Sequence, residues 1–176
     1  YDVEKDFTPI ALIGSGPLLI VVNKDLGIKT LPQLIERAKA KPGELNYVSS
    51  GTGSILHLAS ELFVQKTGAK MTHIPYRGSN PALVDLLAGN AQVAITTVPT
   101  ILGHVKSGSV TLLAVAGRER MKMLPDTPTA LEAGVKDYVA GTWWSVMGPP
   151  GMPADLVAKL NVVINESAAT GPVADE

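Results

Sequence analysis

The chain has 176 residues, of which 45% are hydrophobic and 18% are charged, and its formal net charge is −1. Because the charged fraction lies below the roughly 25% of average soluble domains, we expect a large buried core and exclude a disordered chain or a coiled coil. No basic cluster offers a surface for nucleic acid, and a chain without cysteine has no disulfide, thiolate metal site or cysteine nucleophile. The longest apolar stretch, Phe7–Asn23, is interrupted by two prolines and two glycines, so we expect no insertion into a membrane.

The predicted elements alternate between strand and helix. Apolar runs bounded by glycine and proline indicate strands, and apolar residues at helical spacing behind a capping residue indicate helices. In chain order the predictions are strands Thr8–Ile13 and Leu18–Asn23, helix Thr30–Lys41, strand Leu45–Val48, helix Ser54–Thr67, strand Met71–Ile74, helix Ser79–Ala88, strand Gln92–Thr96, helix Pro99–Lys106, strand Val110–Ala116, a helix from Asp126 to Gly134, strand Thr142–Met147 and helix Pro153–Ser167.

This alternation predicts an α/β fold with a mostly parallel sheet flanked by helices. In sheets of that kind a ligand lies beyond the carboxyl ends of the strands. The loops that follow Val48, Ile74 and Ile95 are therefore the places where we expect a functional site.

The first candidate loop reads Ser-Ser-Gly-Thr-Gly-Ser and opens a helix. Its two glycines allow close approach of the backbone to a ligand, and the N–H groups at the start of the helix favour an anion. The loop lacks the lysine of a P-loop and the third glycine of the dinucleotide fingerprint, so we expect a receptacle for carboxylate or phosphate, with an ordinary turn as the alternative. The predicted contact residues are Ser50, Gly51, Thr52, Gly53 and Ser54.

Two further loops carry polar candidates. In Pro75–Pro81, Tyr76 is a candidate hydroxyl donor and Arg77 a candidate partner for a carboxylate, with a simple turn and a solvated arginine as the alternative. After the next strand, Thr96 and Thr97 offer two hydroxyls, and the alternative role for them is to cap the following helix.

Catalytic signals are weak. The histidines are His57, His73 and His104, and we expect His57 and Glu61 to pair on one helix face because they lie four residues apart. The sequence contains no Gly-x-Ser-x-Gly elbow and no pair of acidic residues in the candidate loops. We therefore expect no catalytic residue, no metal site and no cofactor.

Several ordered segments are similar to those of one known family. The segments are Asp6–Ala11, Leu19–Asn23, Lys29–Ile35, Asn46–Gly51, His57–Phe63, His73–Ser79, Leu124–Thr129 and Glu132–Gly134. Over nearly the whole chain, this set resembles the Bug-type (TctC-like) extracytoplasmic solute receptors of tripartite tricarboxylate transporters.

The resemblance implies a two-lobed periplasmic binding protein of the type II kind that has no catalytic activity. Such a receptor binds a small organic acid between its lobes, through backbone N–H groups, hydroxyls and bridging waters, and delivers it to membrane transporter subunits. Ser50–Ser54 matches the contact loop of the family's second lobe, and Pro75–Pro81 matches its Pro-Tyr-Lys/Arg-Gly turn. Thr96 and Thr97 stand where the family often has Asp and Asn, and Gln92 stands where it often has Asp.

The resemblance also implies a domain organisation. Residues 24–139 would form the second ligand-binding lobe, and residues 1–23 and 140–176 would be remnants of the first lobe and the crossover between lobes. We expect the parent protein to be periplasmic, with its signal peptide outside this sequence. The alternatives are the effector-binding domain of a transcriptional regulator, which shares the type II lobes, and an enzyme that binds a phosphorylated substrate at Ser50–Ser54.

Overall fold

A computed structural model describes residues 1–170 of the chain and divides them into two compact units. Unit 1 joins Tyr1–Ser15 to the described residues from Trp143 onward, and unit 2 is Gly16–Thr142. In chain order the elements are α1 (Val3–Asp6), β1 (Thr8–Asn23), a 3₁₀ turn (Lys24–Leu26), α2 (Leu31–Ala40), β2 (Asn46–Ser49), α3 (Ile55–Thr67), β3 (Thr72–Pro75), α4 (Ser79–Ala88), β4 (Val93–Thr97), α5 (Val98–Lys106), β5 (Val110–Val115), β6 (Gly141–Gly148) and α6 (Ala154–Thr170).

The sheet is mixed, with strand order β3-β2-β4-β1-β5, and β6 also pairs with β1. Strand β2 runs parallel to β3 and β4, whereas β1 runs antiparallel to β4 and β5. The predicted α/β class is confirmed, and β2 to β5 share one direction as expected. The sequence did not predict that the reversed strand β1 lies between β4 and β5, because strand direction depends on distant partners.

Strand β1 is one continuous strand, so the prediction of two strands, Thr8–Ile13 and Leu18–Asn23, is wrong. The glycines and prolines between the two apolar runs interrupt the hydrophobic pattern, but both residue types can adopt extended backbone at a strand. The gap between the two apolar runs therefore lies inside one strand and does not mark a strand end.

The core of unit 2 lies on both faces of its sheet. In β1, Leu18, Ile20 and Val22 pack in one hydrophobic cluster, and Leu19 and Val21 pack in the other. This alternation is what the two-residue period of a strand requires when both faces are covered. Helices α2 and α3 contribute buried residues to the first cluster, and α4 and α5 contribute to the second.

The helix starts follow from local sequence signals. Thr30 and Gln33 form the predicted capping box of α2, and Ser54 caps α3, which ends at Gly68 in the left-handed conformation. The predicted helix from Asp126 to Gly134 is wrong. The Ala130 N–H donates to the Val115 carbonyl oxygen, and the Val115 N–H donates to the Pro128 carbonyl oxygen. These bonds hold the segment beside the end of β5, and it completes only one turn.

The compact unit 2 is larger than the predicted second lobe. It extends to Gly16 and Thr142, beyond residues 24–139, because the last part of β1 is hydrogen-bonded within its sheet. The last residues of the predicted remnant 140–176, numbers 171–176, lie outside the described residues. Among the residues that the structure describes, no helix has both the length and the apolar character needed to cross a membrane.

Unit 1 is held together by contacts between residues distant in sequence. The Thr8 hydroxyl donates to the Pro149 carbonyl oxygen at 2.8 Å, and the Asn161 amide donates to the Ile10 carbonyl oxygen at 2.6 Å. This unit also carries exposed large apolar side chains, including Leu12 and Trp143, which are both 61% exposed. Exposed apolar area of this kind is typical of a surface that another part of a protein covers.

Candidate functional site

The predicted loops after β2 and β3 lie side by side. Because β2, β3 and β4 are parallel, the loops that follow their carboxyl ends share one edge of the sheet. The Tyr76 N–H donates to the Ser49 carbonyl oxygen at 3.1 Å, and the Gly78 N–H donates to the Ser50 carbonyl oxygen at 3.2 Å. The backbone thus ties the second loop to the first.

A small cavity of about 20 Å³ lies among residues of β2, β4, α3, α4 and α5, the elements that the three loops connect. Its lining is apolar except for four hydroxyl side chains, which come from β2, α4, β4 and α5. These residues are Ser49, Ser79, Thr96 and Thr100. A cavity of this volume has room for about one water molecule, so a bound organic acid would have to lie outside it, over the edge of the sheet.

Three helices start at this edge. The first turns of α3, α4 and α5 contribute Leu56, Ser79 and Thr100 to the cavity lining, and each helix start presents N–H groups and the positive end of the helix dipole. Within the described residues, the cap positions of α4 and α5, Gly78 and Thr97, make no side-chain capping hydrogen bond. Pro81 and Pro99 have no N–H, so the first-turn donors that lack a side-chain cap are the N–H groups of Ser79, Asn80, Val98 and Thr100.

The glycine loop has the backbone that its sequence suggested. Gly51 and Gly53 have φ angles of 136° and 81°, which L side chains rarely adopt. A Cβ on Gly51 would lie 3.4 Å from the Tyr76 carbonyl oxygen, whereas a Cβ on Gly53 would meet no protein atom within 4 Å. The absence of a side chain at Gly51 therefore allows the first and second loops to lie close together. At Gly53 it leaves open space where a ligand can approach.

The polar side chains of the glycine loop have different surroundings. Ser54 accepts the His57 N–H at 3.3 Å as the cap of α3, so its hydroxyl already serves the helix. Ser50 is half-buried and Thr52 is exposed. The hydroxyl of Thr52 is thus the more accessible of the two.

The expected pairing of His57 with Glu61 is wrong. His57 instead stacks on His73, with ring centroids 4.1 Å apart, and Glu61 accepts the hydroxyl hydrogen of Tyr47. His73 also stacks on Tyr47, whose ring centroid lies 4.9 Å away. Burial lowers the pKa of His73, the neighbouring His57 lowers it further, and Glu61 opposes the shift.

The second loop offers less to a ligand than expected. The Tyr76 hydroxyl donates to Asp85, which raises the pKa of Tyr76 to about 12 and lowers the pKa of Asp85. The role of Tyr76 as a hydroxyl donor to ligand is therefore not supported, because its hydrogen is used within the protein. Arg77 is exposed and forms no ion pair with any described residue. Its guanidinium is free to meet an anion.

The third loop places Thr96 and Thr97 differently. Thr96 is 6% exposed and lines the cavity, and Thr97 is half-buried, with its hydroxyl 2.8 Å from that of Thr100. The alternative in which a threonine side chain caps α5 is not observed, because Thr97 stands at the cap without a capping hydrogen bond. Thr96 thus lines the cavity directly, and Thr97 contacts it through Thr100, which also lines the cavity.

Sequence reasoning missed four residues of this site, namely Ser49, His73, Ser79 and Thr100. Ser49 and Ser79 lie within the first and second candidate loops, so their hydroxyls were a visible signal although neither was among the predicted contact residues. His73 is aligned with Tyr47 by the parallel register of β2 and β3, which no local pattern reveals.

Comparison with known proteins assigns the family. Residues 1–176 match the family described as tripartite tricarboxylate transporter family receptor. Protein BugT of Bordetella pertussis is 38% identical over 175 residues, which cover 99% of this chain and 54% of that protein. The chain thus spans about half the length of such relatives.

Solved structures of similar proteins support the same family assignment. The structure of R. palustris Rpa4515 with adipate is 38% identical with a TM-score of 0.91, covering 93% of this chain and 55% of that one. MatC from Rhodopseudomonas palustris, with bound malate, is 30% identical with a TM-score of 0.90, covering 98% of this chain and 58% of that one. The expected periplasmic-binding-protein fold is confirmed by these neighbours, and the chain belongs to the tripartite tricarboxylate transporter receptor family.

Proposed function

We propose that this chain supplies one wall of a periplasmic receptor, which captures a small organic acid and delivers it to the membrane subunits of a tripartite transporter. The observation that carries the proposal is the convergence of three helix starts, a glycine loop and four hydroxyls at one edge of the sheet. Backbone N–H groups and hydroxyls stabilise a carboxylate without any buried cation. The relatives solved with adipate and with malate support this class of ligand.

The proposed contacts come from all three loops. The carboxylate would lie over the edge of the sheet, where the first turns of α4 and α5 have available N–H groups. The side chains and backbone proposed to face it are those of Ser50, Gly51, Thr52, Gly53, Ser54, Arg77, Thr96 and Thr97. Tyr76 would act by packing rather than by donating its hydroxyl, because that hydroxyl donates to Asp85.

The proposed lobes follow the two compact units. Unit 2 would be the second ligand-binding lobe, and unit 1 would belong to the first lobe, whose remainder covers the apolar side chains that unit 1 exposes. The share of the relatives' length that the chain spans supports this assignment. The cleft that binds the acid would then need both lobes, as closure of two lobes around a ligand is a common mechanism.

Calorimetry on the two-lobed protein tests the function. We expect adipate or malate to bind, and we expect the uncharged diamide of the same acid to bind much more weakly, since it lacks the negative charge that helix starts stabilise. A diamide that binds as tightly as its acid would contradict recognition of a carboxylate.

Replacing Arg77 distinguishes two ways in which the protein could recognise a carboxylate. If backbone donors and hydroxyls dominate, Arg77→Gln weakens the binding of the acid no more than about fivefold, which is the range of an exposed charge contact. Lys66→Gln is the matched control, because Lys66 lies in the last turn of α3, at the far end of that helix from the site. A loss above about a hundredfold for Arg77→Gln alone would show a bidentate clamp instead.

A further inference from the structure

A pair of stacked histidines lies directly behind the glycine loop. The rings of His57 on α3 and His73 on β3 are nearly parallel, at 24°, with centroids 4.1 Å apart. Tyr47 of β2 also stacks on His73, and its hydroxyl donates a hydrogen bond to Glu61, one turn beyond His57 on α3. Among the described residues, no group of three or more potential metal ligands lies together, so this cluster is not a metal site.

Each imidazole is connected to one glycine of the loop: His57 bonds directly to Gly53, and His73 is connected to Gly51 through the Ser49 hydroxyl. The Gly53 N–H donates to His57 Nδ1 at 3.1 Å. Ser49 Oγ lies 2.7 Å from His73 Nε2, accepts the Gly51 N–H at 3.2 Å and lies 3.2 Å from the Gly51 carbonyl oxygen. The two glycines with left-handed backbone are thus both attached to the stacked pair.

The contact of His57 is a variant of a capping box. In a capping box, the third helical residue donates its backbone N–H to the cap side chain, and its own side chain accepts a backbone N–H near the cap. Helix α2 has this arrangement with Gln33, which accepts the N–H groups of Lys29 and Thr30 at 2.9 and 3.2 Å. At α3, His57 occupies the equivalent position and accepts the N–H of Gly53, as Gln33 accepts that of Lys29.

Histidine differs from glutamine at this position because it titrates. Nδ1 of His57 can accept the Gly53 N–H only when it carries no proton, and a doubly protonated imidazole is a donor at both nitrogens. Around His57 lie the imidazole of His73 on β3, the Glu61 carboxylate one turn further along α3 and the N-terminal end of α3 itself. A positive charge on His57 would repel one on His73, because the two ring centroids are 4.1 Å apart.

We infer that His57 is a positioning residue for the glycine loop, and that protonation of its Nδ1 releases Gly53 and weakens ligand binding. The effect on binding rests on the proposed function, but the coupling between the imidazoles and the loop does not. The direction follows from the hydrogen bonds, because His57 Nδ1 holds Gly53 only while it carries no proton, whereas His73 Nε2 can bond to Ser49 Oγ with or without one. Affinity for an organic acid therefore falls as the pH is lowered through the range in which histidine titrates.

The coupling is tested by NMR on the 176-residue chain without ligand. We expect the Gly53 amide shift to follow the titration of the imidazole ring between about pH 8 and 5. His57→Gln keeps an acceptor at every pH, as Gln33 does at α2, so its Gly53 shift becomes independent of imidazole titration. His104→Gln on α5 is the control that removes a histidine outside the stacked pair. A Gly53 amide chemical shift that does not change with pH in the wild type would overturn the inference.

The effect on binding is tested by calorimetry with adipate on the two-lobed protein. Between about pH 7.5 and 6, we expect the affinity of the wild type to fall up to about tenfold more than that of His57→Gln, the scale of one lost hydrogen bond. The comparison cancels protonation of the acid itself. His57→Ala should weaken binding throughout this range, and glutamine should restore it. Identical pH profiles for the wild type and His57→Gln would refute the inference, whereas failure of any acid to bind would refute the proposed function and leave the NMR result standing.

Discussion

Replacing Gly53 by valine abolishes the binding of an organic acid by the two-lobed protein and leaves its far-ultraviolet circular dichroism unchanged. Gly53 is exposed, its φ angle is 81°, and a Cβ there meets no protein atom within 4 Å. A branched side chain would therefore occupy the open space over the loop where the carboxylate is proposed to bind. It would also strain the backbone by roughly 1–2 kcal/mol, because valine rarely adopts positive φ.

Gly43→Val is the matched control for this strain. Gly43 has a φ angle of 79°, has equally open surroundings, and lies in the turn before β2, at the opposite edge of the sheet from the site. Both variants should lower the free energy of unfolding by similar amounts, but only the variant at Gly53 should lose binding by calorimetry. Unaltered affinity at Gly53, or an equal loss at Gly43, would mean that the glycine loop is only a turn.

The isolated 176-residue chain binds adipate or malate no more tightly than about millimolar, or about −4 kcal/mol. All three candidate loops belong to unit 2, and the cavity between them has a volume of about 20 Å³, too small to enclose the acid. An acid held against one wall keeps much of its surface in water. It therefore gains only part of the hydrogen bonds and little of the desolvation that strengthens them.

The same titration on the two-lobed protein completes this test. We expect its affinity for the acid to exceed that of the chain alone by at least about a hundredfold, since closure would add donors from the second wall and exclude water. Matched buffer and temperature make the comparison direct. Micromolar binding by the chain alone would show that the site is complete within these residues, and the two-lobe proposal would fail.

Local sequence signals predicted the parts of this site that depend on neighbours in the chain. The glycine loop before α3 and the capping box of α2 were read correctly, because caps and positive-φ turns involve residues no more than four positions apart. The position of the three candidate loops at the carboxyl edge of the sheet was also predictable, since it follows from parallel strands alternating with helices. Family resemblance added the family itself, which the match over residues 1–176 confirms.

Side-chain partners at the site depended on distant residues. Tyr76 was expected to offer its hydroxyl to a ligand, but Asp85 on α4 faces it and accepts that hydrogen. His57 was expected to pair with Glu61 on its own helix, but the register of β2 and β3 brings His73 beneath it. Neither partner is visible from helical spacing alone.

The sequence by itself thus determined where the helices begin, which turns need glycine, and that a polar loop follows each of three parallel strands. Only the tertiary structure decided that β1 runs against its neighbours, that one cavity is shared by hydroxyls from β2, α4, β4 and α5, and that two imidazoles stack behind Gly51 and Gly53. The physical reason is range: caps and turns are satisfied within a few residues, whereas strand order and side-chain stacking are selected by burial of the whole core.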